Sequence, residues 1–216
     1  KCLSSNSFQV SGPMVGLGAV SNTVLLPLLP PTKIIGIPMG SPISAALAPL
    51  VCIYFEHLYF SGTGCHNTIV FDDQDQMPRV GKFLFGQWLE MDEVSAIESQ
   101  GATKSWVGQF TDTNGNCHRR QVLIDRDCLR VLDKIEGPFK LGTMNWHLGD
   151  SNWMLTDSGA RSSSFEISVQ TSGPTSIELG QGWRSRMYQH KELVSVLRVK
   201  LGPQSGDIVT TMKQLA

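Results

Sequence analysis

The sequence predicts a mainly β chain, an antiparallel β-sandwich preceded by an irregular N-terminal segment. Three observations carry this. From residue 66 onward, apolar-rich runs of strand length recur about every ten residues. Clusters of turn formers separate them: DTNGN at 112–116, DRD at 125–127, EGP at 136–138, SGP at 172–174 and GPQSGD at 202–207. No stretch repeats its apolar residues with helical period over helix length.

The elements follow in order. His66–Phe71 leaves a glycine-rich lead-in and enters the β-prone run Thr68-Ile69-Val70-Phe71. Gly81–Trp88 is the second apolar run. Ser105–Phe110 and Arg120–Ile124 flank DTNGN and read as a hairpin. Cys128–Ile135 begins after DRD; within it, Leu129, Val131 and Leu132 stand against Arg130, Asp133 and Lys134, as in a half-buried strand. Thr143–Leu148, Asn152–Thr156, Ser164–Gln170, Ser176–Leu179, Leu193–Leu201 and Asp207–Met212 complete the series. No internal repeat is visible.

The first 58 residues are different material. They hold three of the 37 charged residues (Lys1, Lys33 and Glu56) but seven of the 11 prolines. We therefore place a boundary there: 1–58 is an atypical segment, and 59–216 is the sandwich domain. Residues 34–55 are 22 residues without a charge, long enough to cross a bilayer. Pro38, Pro42 and Pro49 with Gly36 and Gly40 break that run, and no basic flank orients it, so no membrane partner is expected. GIPMGSP and VFDD look like pieces of a reverse-transcriptase palm, but Glu56 is the only acid before Asp72 and a two-metal site needs carboxylates on separate strands. The formal net charge of −1 gives no reason to expect nucleic acid. The start at Lys1 reads as that of a fragment or a mature product.

Five cysteines without a C-x-x-C pair argue against a disulfide framework and against a cysteine-built zinc site; Cys117 and Cys128 read as small apolar residues on strands. His66 can be a metal ligand or can simply hydrogen-bond its strand neighbours. Asp72, Asp73 and Asp75 are close together but lack the glycine and distal glutamate of a calcium loop, so they read as a polar turn. His118-Arg119-Arg120 reads as structural or as a rim cluster, and Trp146 with His147 as a core aromatic and its strand neighbour. GWRSRMYQHKE at 182–192 gathers Arg184, Arg186, Tyr188, His190 and Lys191 in a basic-aromatic loop. It suits an acidic sugar, with Arg184 and Tyr188 as candidate contacts, or is a solvated turn.

Four of these stretches together resemble the heparinase II/III-like family of polysaccharide lyases: GTGCHNTIVFDDQDQMPRVGKFLFGQW, HRRQVLIDRDCLRVLDKIEG, NWHLGD and GWRSRMYQHKELVSVLRVKL. Their order and spacing agree from about Tyr59 to Leu201. The resemblance implies an N-terminal α/α toroid, missing here, followed by a C-terminal antiparallel sandwich. It implies β-elimination from a uronic acid residue of an acidic polysaccharide such as a glycosaminoglycan or alginate. It also implies a periplasmic or secreted location. A non-catalytic sandwich that binds or buttresses carbohydrate is the alternative.

The family's sandwich carries a structural zinc ion. The resemblance assigns it a His and an Asp from H-x-H-A-D and a second His from G-T-x-x-H-N-T. The second motif stands here as Gly62-Thr63-Gly64-Cys65-His66-Asn67-Thr68, so the resemblance makes His66 the second histidine ligand. The first motif is absent: only His57 precedes His66, with no aspartate. The family's acid/base tyrosine belongs to the toroid, so no catalytic residue is assigned. A shifted reading frame accounts for the foreign segment. Over residues 38–55 the alternative codons permit N-G-Q-P, five residues, then G-T-S-G-M-Y, a spacing found in the family upstream of G-T-x-x-H-N-T. Such a segment is expected not to pack as an ordered part of the sandwich.

Overall fold

The computed structural model describes residues 59–81, 84–149, 152–187, 190–203 and 205–215. The atypical segment, its uncharged run and the shifted-frame reading lie outside them, as does Tyr188. Residues 59–60 have helical backbone and Thr63–Cys65 forms one 3₁₀ turn; the remaining described elements are strands.

Thirteen strands are described: β1 (Ile69–Phe71), β2 (Met91–Val94), β3 (Glu98–Gln100), β4 (Thr103–Thr111), β5 (Cys117–Ile124), β6 (Cys128–Glu136) and β7 (Gly142–His147), then β8 (Met154–Thr156), β9 (Gly159–Arg161), β10 (Phe165–Thr171), β11 (Thr175–Met187), β12 (His190–Leu201) and β13 (Asp207–Gln214). They form a four-stranded sheet, β1-β7-β12-β11, and a nine-stranded one, β2-β4-β5-β6-β13-β10-β9-β8 with β3 also on β4. Every pairing is antiparallel. The turns obey their residues. In DTNGN, Gly115 takes φ 82°, and the Asp112 carboxylate accepts the Asn114 and Asn116 amides, each at 2.8 Å.

One core joins the sheets. Ile69, Phe71, Met144, Trp146, Leu197, Val199 and Leu201 come from the small sheet; Val131, Ile135, Ala160, Ile167, Val169 and Ile208 come from the large one. Strand alternation sends the other side chains outward. On the small sheet, Asn145 pairs with Arg198, His147 with Val196, and Gly180 and Gly182 lie opposite Val196 and Val194 on the face away from the core.

Four expectations change. Gly81–Trp88 is not a strand: its described residues make local hydrogen bonds, Val80 and Gly81 donating to the Leu84 carbonyl and Gly86 to that of Pro78, around an isolated Arg79–Phe85 bridge, with Phe85 in ring contact with Trp88. β2 and β3 escaped notice because they are exposed and mostly polar, held on the edge by pairing with β4. The described residues of the basic 182–192 stretch are not a loop but the end of β11 and the start of β12, with Met187 paired to His190. Asp133 does not share the outward side with Arg130. It stands with Val131 and Ile135 on the core side, 1% exposed.

Candidate functional site

The site is built at the end of β7 on the outer face of the small sheet. The 3₁₀ turn delivers His66, exposed, as the residue following it. Its successor, Asn67, ties that turn to the sheet: the Asn67 side-chain oxygen accepts the His147 amide at 2.7 Å, and the Thr68 carbonyl accepts the Asn145 amide at 3.0 Å. Below the turn, Thr63 donates its amide to Asp75 at 2.7 Å, and its hydroxyl accepts the Gln76 amide at 2.9 Å. Asp72 accepts the Lys140 and Leu141 amides. These carboxylates hold the turn, as their reading as a polar turn requires.

His147, read from the sequence as the strand neighbour of a core aromatic, holds that place on β7. Trp146 enters the core and alternation turns His147 to the outer face. Burial, with the neighbouring His66 ring and the Arg198 guanidinium adding to it, pushes its imidazole down to about 4. It is thus neutral near pH 7. Its Nδ1 is buried without a hydrogen-bond partner among the described residues. A Cβ on Gly182 would stand 2.7 Å from Val196, 3.1 Å from the Tyr59 hydroxyl and 3.5 Å from His147 Nε2. The glycine therefore lets Tyr59 and His147 close over β11, and the Tyr59 oxygen accepts the Trp183 amide at 2.8 Å. The signal available in the sequence was the odd–even alternation of NWH itself.

The basic hairpin rises from the same strand. Arg184 and Arg186 both donate to Glu192, at 2.9 and 2.8 Å, and Lys191 lies over Trp183 at 5.2 Å. Arg184, a predicted sugar contact, is thus shared with a carboxylate in the free chain. Arg186, about half exposed, is the more open of the two. Tyr188, the other predicted contact, lies outside the described residues.

Among the described residues, no group of three or more His, Cys, Asp or Glu able to hold the zinc expected from the motif occurs. His66 and His147 supply two imidazoles, short of the four-coordinate site that zinc takes in structural roles.

His118 and Arg120 prove structural, but neither is at a rim. His118 Nε2 donates to Asp133 at 2.7 Å, and Arg120 donates to the same carboxylate through Nε at 2.6 Å and Nη2 at 3.2 Å. Burial alone would raise the Asp133 pKa; the hydrogen bond from His118 and the Arg120 guanidinium outweigh it and hold it below the usual carboxylate range. Cys117 and Cys128 open β5 and β6 half-buried, and burial pushes the Cys117 thiol up.

Comparison with known proteins agrees with this architecture. No curated protein matches the chain. Among solved structures, a heparinase III gene product has a TM-score of 0.62 at 14% identity, covering 76% of this chain and 26% of that one. A mutant heparan sulfate lyase from Pedobacter heparinus has 0.57 at 16%, covering 76% and 26%, and a further heparinase III 0.57 at 13%, covering 73% and 25%. The chain thus spans about a quarter of the length of the structures it matches. At these identities the likeness is one of fold. The family model for the heparinase II/III-like C-terminal region matches residues 56–212, and the chain belongs to that family.

Proposed function

We propose that this chain is the C-terminal part of a polysaccharide lyase that cleaves uronic-acid-containing polysaccharide by β-elimination, and that its share of the work is to hold the acidic chain. The supporting observation is that Tyr59 and His147 meet at Gly182 on the outer face of β11, the face from which Arg184 and Arg186 reach Glu192. In β-elimination a base takes the C5 proton, the carboxylate is neutralised, and an acid protonates the departing glycosidic oxygen. Cationic side chains serve the second requirement: guanidinium groups pair bidentately with carboxylate or sulfate. The resemblance assigns the base and acid to the family's toroid, which these 216 residues do not span, so on their own they are expected to release no unsaturated uronate. The resemblance also supports a periplasmic or secreted setting, with zinc only if the missing ligands come from elsewhere.

The test is calorimetric titration of the 216-residue chain with heparan sulfate, alginate and neutral dextran oligosaccharides. Binding of an acidic chain, weakened by salt and by R186A, supports the reading; equal or absent binding of all three refutes it. The second reading is a non-catalytic carbohydrate-binding or buttressing module, supported by the fact that no metal-holding group of three or more His, Cys, Asp or Glu side chains occurs among the described residues. Product formation on adding back a toroid domain decides against it.

A further inference from the structure

Asn67 is where two networks from opposite sheets meet. From the four-stranded side, its side chain receives the His147 amide, as described. From the nine-stranded side, Arg120 on the inner face of β5 crosses the core, and its Nη1 donates to the Asn67 carbonyl. The guanidinium is fixed on every flank: Asp133 takes Nε and Nη2, the Trp146 ring lies 5.1 Å from its carbon, and Met144 Sδ is 3.3 Å from Nη2. His118, 3% exposed, grips Asp133 from behind.

A buried ion pair adds little net stability over a well-packed apolar alternative, because desolvation offsets the attraction. What this pair adds is direction. An arginine fork serves Asp133 and Asn67 together, whereas a lysine ammonium is a single point that cannot reproduce the planar geometry.

We infer that Arg120, oriented by Asp133 and His118, is a positioning residue that fixes the turn carrying His66 against His147 by holding Asn67 from the opposite sheet. It touches neither imidazole and is not a catalytic residue. The assignment rests on the proposed function only in taking those histidines as the working face.

The experiment compares the whole 216-residue chain, isotopically labelled, as wild type and R120K. In the variant, the amides of His147 and Asn145 are expected to exchange about ten- to a hundredfold faster, the range for losing one charge-assisted bond. The ring resonances of His66 and His147 move, while β10 amides keep their rates. A variant that melts lower yet shows wild-type His66 and His147 resonances and exchange overturns the inference, because Arg120 is then only a stabiliser. If R120K does not fold, the wild type decides. Slowly exchanging Arg120 Nη1 protons with cross-peaks to Asn67 and Thr68 support the inference, and freely exchanging ones overturn it. Titration with a heparan sulfate tetrasaccharide separates the two readings: wild type that binds nothing while R120K moves the histidine resonances refutes the function and leaves the positioning role standing.

Discussion

Replacing Asp133 by asparagine tests the centre of the fold. The substitution keeps the side chain's shape and removes the charge that His118 and Arg120 share at 2.7 and 2.6 Å. His118 is 3% exposed and the Arg120 side chain 16%. Breaking a buried pair from one side costs about 3–5 kcal/mol, a large part of the roughly 5–15 kcal/mol that holds a domain folded. At about 2–4 °C per kcal/mol for a chain of this size, the melting temperature falls by about 6–20 °C. The assay is urea and thermal unfolding followed by tryptophan fluorescence, with R120M, D133L and R120M/D133L forming a cycle in which the double variant is less damaged than the two singles summed. A D133N chain within about 1 kcal/mol of wild type refutes the reasoning, since that is the size of a surface pair. The pH dependence has a defined sign. The folded carboxyl is held below its unfolded value, so its contribution is fully present above about pH 4 and is lost as pH falls through the folded value.

Other expectations follow from the same geometry. His147, held near 4 against an ordinary 6.5, stays neutral while the unfolded chain takes up a proton, so it removes stability as pH falls from about 6.5 to 4; its ring titration by nuclear magnetic resonance checks this. G182A puts a methyl 2.7 Å from Val196 and 3.1 Å from the Tyr59 hydroxyl, and overpacking of this kind costs about 1–3 kcal/mol in a denaturant melt, with loss of the Tyr59–Trp183 bond. E192Q releases Arg184 and Arg186 from their shared carboxylate and is expected to tighten binding of acidic oligosaccharide at low salt, whereas R186A weakens it; titration calorimetry at two ionic strengths reads both. Nucleotide sequencing across residues 1–58 is expected to show an open shifted frame spelling H-x-H-A-D; stop codons in that frame end the idea.

Sequence pattern was informative where local chemistry and tertiary context agree. The DTNGN hairpin, the β6 and β7 runs and the Asp72–Asp75 turn were legible because turn residues and alternation act within a few residues. Asp133 was misplaced because alternation sorts apolar from polar, and a carboxylate in the core is paid for by His118 and Arg120 thirteen or more residues away. β2 and β3 gave no apolar signal because an edge strand exposes both faces. The basic hairpin was read as a loop since its charges mask strands whose pairing is fixed only by register with β12. His66 was found through a motif, whereas His147 required knowing which way β7 faces.

The broken edge of the nine-stranded sheet has a consequence for behaviour in a crowded solution. β2 and β3 lie end to end along β4, with a register shift between Met91 and Glu93, and Ser95 clasps Val107 through its amide and its hydroxyl. Asp92, Glu93 and Glu98 line this border. A second copy approaching to add a strand would meet an interrupted ladder of amides and charged side chains, Glu93 among them paired with Arg119 at 3.2 Å. Both are devices by which natural sheets resist edge-to-edge growth into aggregates. Met91, Val94 and Ile97 remain exposed on this border, so straightening the bulge or neutralising the three acids is what would turn it into a template for self-association.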